Sequence, residues 1–300
     1  MKIFSGSSNK ELALKIAKQL DITLSPLEIF VFPDGEKRIR VGERVLGQDC
    51  VLVQSTGMPV DSNYMELFLI VDALKRSGAK SVKLVMPYFG YQRQDHIFRD
   101  GEDVSLEVIA KTLESVGITD LFSFDLHTPK IPELFKIPVI HLSALLLFSE
   151  NIKKEFDLKK IVLVTPDMGG IGRIKKISEL LGNIPFATIV KDRDLASGDI
   201  KDSGLDGQVD GKICVMVDDM ISTGNTMADA ADLLLENGGQ KVFAYATHAV
   251  LAGEASNILQ NCKIGKVIVS DSLEIPKEKE FEKLEILSIA EIAAKALKNF

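Results

Sequence analysis

The sequence predicts an α/β fold of two tandem, doubly wound parallel sheets. Three observations lead there. Short runs rich in Val and Ile, most of them apolar at successive rather than alternate positions, recur along the 300 residues. Strands of that kind are buried on both faces. Amphipathic stretches with helical spacing separate them, so strand and helix alternate. The whole series then runs a second time.

The runs at 51–53, 82–86, 121–124, 161–164, 213–217 and 242–246 read as strands. Asn63, with Glu66 three residues on, looks like a capping box that opens a helix. The stripe Leu67, Phe68, Val71, Leu74 follows, and Gly78 takes the position just past the helix end. Residues 105–116 and 227–237 behave alike, the latter ended by Gly238-Gly239. A helix at roughly 142–154 connects the two series. We expect a first domain at 1–143 and a second at 144–288, with a last helix near 289–300 packing back on the first. The segment 192–211 breaks the rhythm. It is crowded with Asp, Gly, Ser and Lys, lacks apolar periodicity, and is expected to be a long irregular loop of the functional kind.

Composition bounds the function. Hydrophobic residues make up 46% and charged residues 26%, which suits a packed core. A net charge of −7 argues against a generalist nucleic-acid binder, which carries a basic excess. It leaves room for anionic small ligands, because local Arg residues and backbone N–H groups bind phosphate by themselves. Cys50, Cys214 and Cys262 are scattered, with no C-x-x-C pair, and read as reduced structural thiols. No apolar leader is evident and no uncharged stretch reaches the ~18 residues of a membrane span, so a cytoplasmic protein is expected.

The clearest chemical signal is Val215-Met216-Val217-Asp218-Asp219-Met220-Ile221-Ser222-Thr223-Gly224-Asn225-Thr226. A buried strand runs into two carboxylates, and a small polar turn then opens a helix. Ligands of open α/β sheets sit beyond the carboxyl ends of strands. The turn offers N–H groups, hydroxyls and the positive end of a helix dipole, which suit a phosphate. The carboxylates suit sugar hydroxyls, which donate to them. Taken alone, the same segment is also an ordinary strand-to-helix turn.

This segment resembles the phosphoribosyl-diphosphate motif of type I phosphoribosyltransferase folds. Four more segments resemble those of ribose-phosphate diphosphokinases, in the family's order: Phe32-Pro33-Asp34-Gly35-Glu36, Pro87-Tyr88-Phe89-Gly90-Tyr91-Gln92-Arg93-Gln94-Asp95, Asp125-Leu126-His127 and Thr165-Pro166-Asp167-Met168-Gly169-Gly170. The resemblance runs from Phe4-Ser5-Gly6 to the C-terminal helix. It implies two domains of the phosphoribosyltransferase type I fold, and transfer of the diphosphoryl group of ATP to ribose 5-phosphate. Phe32 would stack on adenine, with Asp34 and Glu36 holding the nucleoside, and Arg93 and Gln94 would bind ATP. His127 and Asp167 would anchor Mg²⁺, with Asp125 orienting the histidine. Asp218, Asp219, Ser222, Thr223, Gly224, Asn225 and Thr226 would hold ribose 5-phosphate. Lys191 and Arg193 would close over the reacting phosphate. A homo-oligomer is implied, a dimer at least, with the Phe32 turn shared across an interface. His96, His141 and His248 keep a structural reading.

Departures are visible. Ser222 and Asn225 replace an Asp and a Gly of the best-studied bacterial and mammalian branch. The stretch 96–103 holds Asp100, Glu102 and Asp103 where that branch is basic, a pattern closer to archaeal-type members. A second, allosteric ADP site is therefore not expected there. Two other readings share the sugar-phosphate loop: a phosphoribosyltransferase, and a catalytically silent synthase-associated subunit. The first would leave the Phe32 turn and Arg93-Gln94 idle; the second would have no use for Lys191, Arg193, His127 and Asp167.

Overall fold

The computed structural model describes residues 1–97, 99–193 and 200–300, with only the backbone course given for 191–193 and 200–203. The chain forms two compact units. One comprises Met1–Ser143, Ser272–Glu274 and Ser288–Phe300; the other comprises Ala144–Asp271 and Ile275–Leu287.

The first unit opens with β1 (Lys2–Ser5) and α1 (Lys10–Gln19), whose cap residue Asn9 accepts the Leu12 N–H. A hairpin follows, β2 (Leu27–Val31) and β3 (Lys37–Val41), which form a two-stranded sheet of their own. Then come β4 (Asp49–Val53), α2 (Val60–Arg76), β5 (Ser81–Val85), α3 (Ser105–Val116), β6 (Asp120–Phe124) and β7 (Val139–Leu142). The main sheet has the order β1-β4-β5-β6-β7, all parallel. On its far edge β1 makes a parallel bridge, Ile3 to Leu24. Phe4, Leu52, Leu67, Leu84, Phe89 and Leu121 are fully buried between sheet and helices. Side chains of this size contribute about 1.5–3 kcal/mol each when buried.

The predicted capping box is not there. Helix α2 begins at Val60, three residues before Asn63. The Asn63 amide donates to the Gly57 carbonyl, and the Glu66 carboxylate is taken by groups distant in sequence. The end of α2 agrees with expectation, since Gly78 has φ +85°.

The second unit starts with α4 (Leu145–Glu155), slightly later than its predicted start. It continues through β8 (Ile161–Thr165), α5 (Ile171–Leu180), β9 (Phe186–Arg193), β10 (Ile200–Asp206), β11 (Ile213–Ile221), α6 (Asn225–Glu236), β12 (Lys241–Ala249), α7 (Ala255–Asn261), β13 (Ile264–Ser270) and β14 (Leu284–Leu287). The sheet order is β10-β9-β8-β11-β12-β13-β14, and all pairs but β10–β9 are parallel. Part of the segment predicted as irregular is therefore strand. β10 lies at the sheet edge with a single neighbour, where a polar sequence without apolar alternation is the usual state. The last helix, α8 (Ala290–Asn299), belongs to the first unit and packs on α1. Lys298 Nζ donates to the Gln19 carbonyl at 3.0 Å, and the Phe300 ring meets Phe122 edge-on at 5.7 Å. Among the described residues no helix is long and apolar enough to cross a membrane.

The units repeat one plan. In each, a first strand (β1, β8) leads to a neighbour on one side, and the chain then returns to pair the other side (β4, β11). Cys50 and Cys214 hold the second position of β4 and β11, and Ser55-Thr56-Gly57 and Ser222-Thr223-Gly224 follow those strands.

Candidate functional site

In the second unit the direction of strand addition reverses between β8 and β11. The region beyond their carboxyl ends is the usual ligand position of such sheets. Both predicted motifs of this unit fall there. Asp218 and Asp219 lie inside β11, which continues to Ile221, and both are buried. Arg173, from the first turn of α5, answers both. Its Nη1 is 2.7 Å from Asp218 Oδ1 and its Nη2 is 3.3 Å from Asp219 Oδ1. Asp218 Oδ1 also accepts the Asp219 N–H at 2.8 Å, and Asp219 Oδ1 accepts the Met220 N–H at 3.0 Å. Two carboxylates facing one guanidinium leave a negative excess. Burial first, and then the Asp219 charge, push the Asp218 carboxyl well above the usual carboxylate range, against the pull of Arg173.

The turn after β11 is open. Gly224 has φ +84° at the cap of α6, a conformation that costs Gly little. Ser222 is half-buried, whereas Thr223, Asn225 and Thr226 are exposed. The hydroxyls of Ser222, Thr223 and Thr226 make no hydrogen bond among the described residues. They stand beside the unpaired N–H groups of a helix start, a combination that receives anions.

The loop after β8 forms the other wall. Asp167 is exposed and caps a short 3₁₀ turn through its Oδ1, which accepts the Gly170 N–H at 3.1 Å. Gly170 must lack a side chain. A Cβ there would fall 2.1 Å from Thr165 Oγ1 and 3.2 Å from Arg173 Nη1. Sequence reasoning missed Arg173, because its partner Asp218 stands 45 residues further along the chain. Lys191 and Arg193 close β9, but their side chains lie outside the described residues.

In the first unit, Phe32 to Glu36 form the tight turn of the β2–β3 hairpin. The Phe32 N–H donates to the Glu36 carbonyl at 2.8 Å, the Gly35 N–H to the Phe32 carbonyl at 2.9 Å, and the Glu36 N–H to Asp34 Oδ1 at 3.1 Å. Phe32 is half-buried and meets Phe30 edge-on at 4.9 Å, with the Arg38 guanidinium over both rings. Asp34 and Glu36 are exposed. Arg93 and Gln94 are exposed in the loop after β5, and His127 is exposed in the loop after β6. Gln92 joins these two loops: it is buried, and its Oε1 accepts the His127 N–H at 3.0 Å. The Gln92 amide was not anticipated, because the sequence places it between two more conspicuous residues. Asp125 accepts the Ser143 hydroxyl at 2.6 Å and holds φ +32°, a strained value for a non-glycine residue.

Among the described residues no three His, Cys, Asp or Glu side chains converge as a metal cage. Mg²⁺ that arrives on phosphates needs few protein ligands, so an exposed carboxylate such as Asp167 is a sufficient donor.

The N-terminal domain model of ribose phosphate pyrophosphokinase matches residues 1–117, and the phosphoribosyl synthetase-associated domain matches residues 200–300. Ribose-phosphate pyrophosphokinase 1 of Lactococcus lactis is 40% identical over 299 residues, covering 99% of this chain and 92% of that protein. The chain belongs to the ribose-phosphate pyrophosphokinase family. Ribose-phosphate pyrophosphokinase of Bacillus cereus is 38% identical over 297 residues, covering 99% of this chain and 93% of the relative. The crystal structure of phosphoribosylpyrophosphate synthetase from Mycobacterium smegmatis superposes with a TM-score of 0.93 at 36% identity, over 99% of this chain and 97% of the other. The α/β architecture and the family inferred from the motifs both hold for this pyrophosphokinase chain.

Proposed function

We propose that this protein transfers the diphosphoryl group of ATP to the anomeric hydroxyl of ribose 5-phosphate, giving 5-phosphoribosyl 1-diphosphate and AMP. The observation that carries the reading is the open Ser222–Thr226 turn beside Asp218 and Asp219 where strand addition reverses between β8 and β11, in a chain of this family. The turn's N–H groups and hydroxyls bind the 5-phosphate. Asp218 and Asp219 accept from sugar hydroxyls, and Arg173 keeps both carboxylates in place. Phosphoryl transfer asks mainly for alignment and for positive charge near the equatorial oxygens.

On the nucleotide side, Phe32 offers a ring edge and face for adenine, Asp34 and Glu36 accept from the nucleoside, and Arg93 and Gln94 face the phosphates. Lys191 and Arg193, two apart on β9, are the cations proposed for the group in transit. Bound Mg²⁺ supplies charge neutralisation to the ATP phosphates, with Asp167 and His127 as its proposed protein contacts. The working form is proposed to be a cytoplasmic homo-oligomer, a dimer at least, with the Phe32 turn reaching a partner's nucleotide.

One assay tests the reading. Purified protein with ATP, ribose 5-phosphate and Mg²⁺ is expected to release AMP and 5-phosphoribosyl diphosphate in equal amounts. ATP consumption that yields ADP, or no AMP at all, would remove this activity. Lys191→Ala is expected to lower kcat by about 10²–10³, the usual cost of one preorganised charge donor.

A further inference from the structure

The β2–β3 ribbon carries the Phe32 turn, yet its two strands pair with each other and not with the main sheet. Its inner positions, Leu27, Ile29, Ile39 and Val41, rest on the core of the first unit, while Glu28, Phe30, Arg38 and Arg40 face outward. Lys37 has inward parity and directly follows Glu36, the residue that closes the turn. Its ammonium reaches α2, 2.8 Å from Glu66 Oε2 and 3.2 Å from the Ser62 carbonyl. Both side chains are nearly out of solvent, at 12% and 1% exposure.

Glu66 receives more than Lys37. The Ser7 N–H donates at 2.7 Å to Oε1, the Ser7 hydroxyl lies 2.7 and 2.8 Å from the two oxygens, and Gln54 Nε2 donates at 3.1 Å. One carboxylate thus ties the loop after β1, the end of β4, helix α2 and the root of the ribbon. Burial alone would raise the Glu66 carboxyl, but Lys37 and the Ser7 donors outweigh it and hold the group below the usual carboxylate range. An ionised group this buried and this fully bonded has a defined place, and so does the ammonium that meets it.

We infer that Glu66 is a positioning residue for the nucleotide: through Lys37 it fixes the root of the ribbon and so sets where the Phe32–Glu36 turn presents itself. This rests on the proposed nucleotide role of that turn. Glu66 touches no substrate in this scheme. A loosened root leaves the ribbon folded on its apolar inner face but lets the turn wander, which weakens ATP capture and spares ribose 5-phosphate.

The test compares Phe32→Ala, Lys37→Met, Glu66→Gln, the double variant Lys37→Met/Glu66→Gln, and Lys37→Arg, with full kinetics and melting curves for each. We expect KM for ATP to rise at least tenfold in Lys37→Met, Glu66→Gln and the double variant. KM for ribose 5-phosphate should stay unchanged and kcat at saturation within about twofold. Lys37→Arg should recover most of the ATP affinity. The double variant buries no unpaired charge, so it should melt near the wild type and keep the test alive if a single variant fails to fold. If Phe32→Ala raises KM for ATP while the folded double variant does not, the inference is overturned and the reading of the turn stands. If Phe32→Ala leaves KM for ATP unchanged, the nucleotide role of the turn falls, and this inference with it. A lowered melting temperature without any ATP-specific change in KM would make the cluster merely structural and would also overturn it.

Discussion

The two units each carry a Ser-Thr-Gly turn after the corresponding strand, β4 or β11, and they treat it in opposite ways. In the first unit both hydroxyls are used internally. The Thr56 hydroxyl donates to the Tyr88 carbonyl at 3.0 Å and accepts the Gly90 N–H at 2.7 Å, and the Ser55 hydroxyl donates to the Ser272 carbonyl at 2.5 Å. Gln54, Ser55 and Thr56 are fully buried. In the second unit the matching hydroxyls of Ser222 and Thr223 make no hydrogen bond among the described residues, and Thr223 is exposed. Whether a turn of this composition can receive a ligand therefore depends less on its residues than on whether its donors are already satisfied. One turn is a structural joint, and the hydroxyls of the other make no hydrogen bond among the described residues.

The largest effect that would probe this contrast is on Arg173. Arg173→Ala leaves two buried carboxylates without their counter-charge, and breaking a buried pair from one side costs about 3–5 kcal/mol. The second unit is expected to melt roughly 10 °C earlier, or to fail to fold. A variant that melts like the wild type would show that the site is solvated well enough to hold both charges unaided.

Next comes the paired exchange Thr223→Val and Thr56→Val. At the open turn, loss of a hydroxyl that serves a charged phosphate is worth about 1.5–3 kcal/mol. That lowers kcat/KM for ribose 5-phosphate about ten- to hundredfold, with the melting temperature unchanged. At the closed turn the same change strands the buried Gly90 N–H, while the Tyr88 carbonyl keeps the Thr56 N–H. It should lower the melting temperature by several degrees and leave KM for ribose 5-phosphate alone. Interchanged outcomes would break the comparison.

The buried carboxylates differ in sign as well. Asp218 is raised from its ordinary 3.8, so the folded state holds a proton that the unfolded state releases. Its contribution to stability is therefore lost as pH rises above about 4 through the folded value. Glu66 is lowered from 4.5, so its contribution is present above that value and is lost as pH falls below it. Melting curves between pH 5 and 8 should be flatter for Asp218→Asn than for the wild type. At neutral pH the variant should melt no lower than the wild type, while activity drops. Glu66→Gln should leave the slope in that window unchanged. A steeper slope for Asp218→Asn would contradict the direction assigned to this group.

The smallest effect is also the most direct comparison. Cys50 and Cys214 occupy equivalent strand positions, both fully buried, and desolvation pushes each thiol up to about 11. Neither should react with a thiol reagent at pH 7.5 without opening of its own unit. Ribose 5-phosphate should slow labelling of Cys214 severalfold and leave Cys50 unchanged, as read by mass spectrometry of digested protein. Equal protection of both thiols would mean that the ligand does not distinguish the units.

Much of this was legible in the sequence. The apolar runs gave β4, β5, β6, β8, β11 and β12, because strands covered on both faces announce themselves by composition. The β2–β3 ribbon escaped, since Lys37, Arg38 and Arg40 make most of Lys37–Val41 charged and the strand is covered on one face. The candidate site was legible where its residues stand in contiguous motifs. Arg173 meets Asp218 across 45 residues of chain, and Ser7 meets Glu66 across 59. No local pattern encodes such pairs. Asn63 and Glu66 show the hazard in reverse: their spacing fits a cap, but a carboxylate with a better offer from Ser7 and Lys37 does not stay at a helix end.

The return of α8 to the first unit has a consequence for how the protein is made. Leu12, Ala13, Ile16 and Ala17 are buried on α1, and Ala290, Ala293, Ala294 and Leu297 are buried on α8, the helix that packs on it. Translation proceeds at roughly 5–20 residues per second, so about 7–30 s separate residue 143 from residue 288 on the ribosome. During that interval α1 exists without its cover, while the entire second unit emerges and is free to fold. The unit begun first is thus completed last, and its uncovered apolar stripe is where a nascent-chain chaperone would be expected to sit.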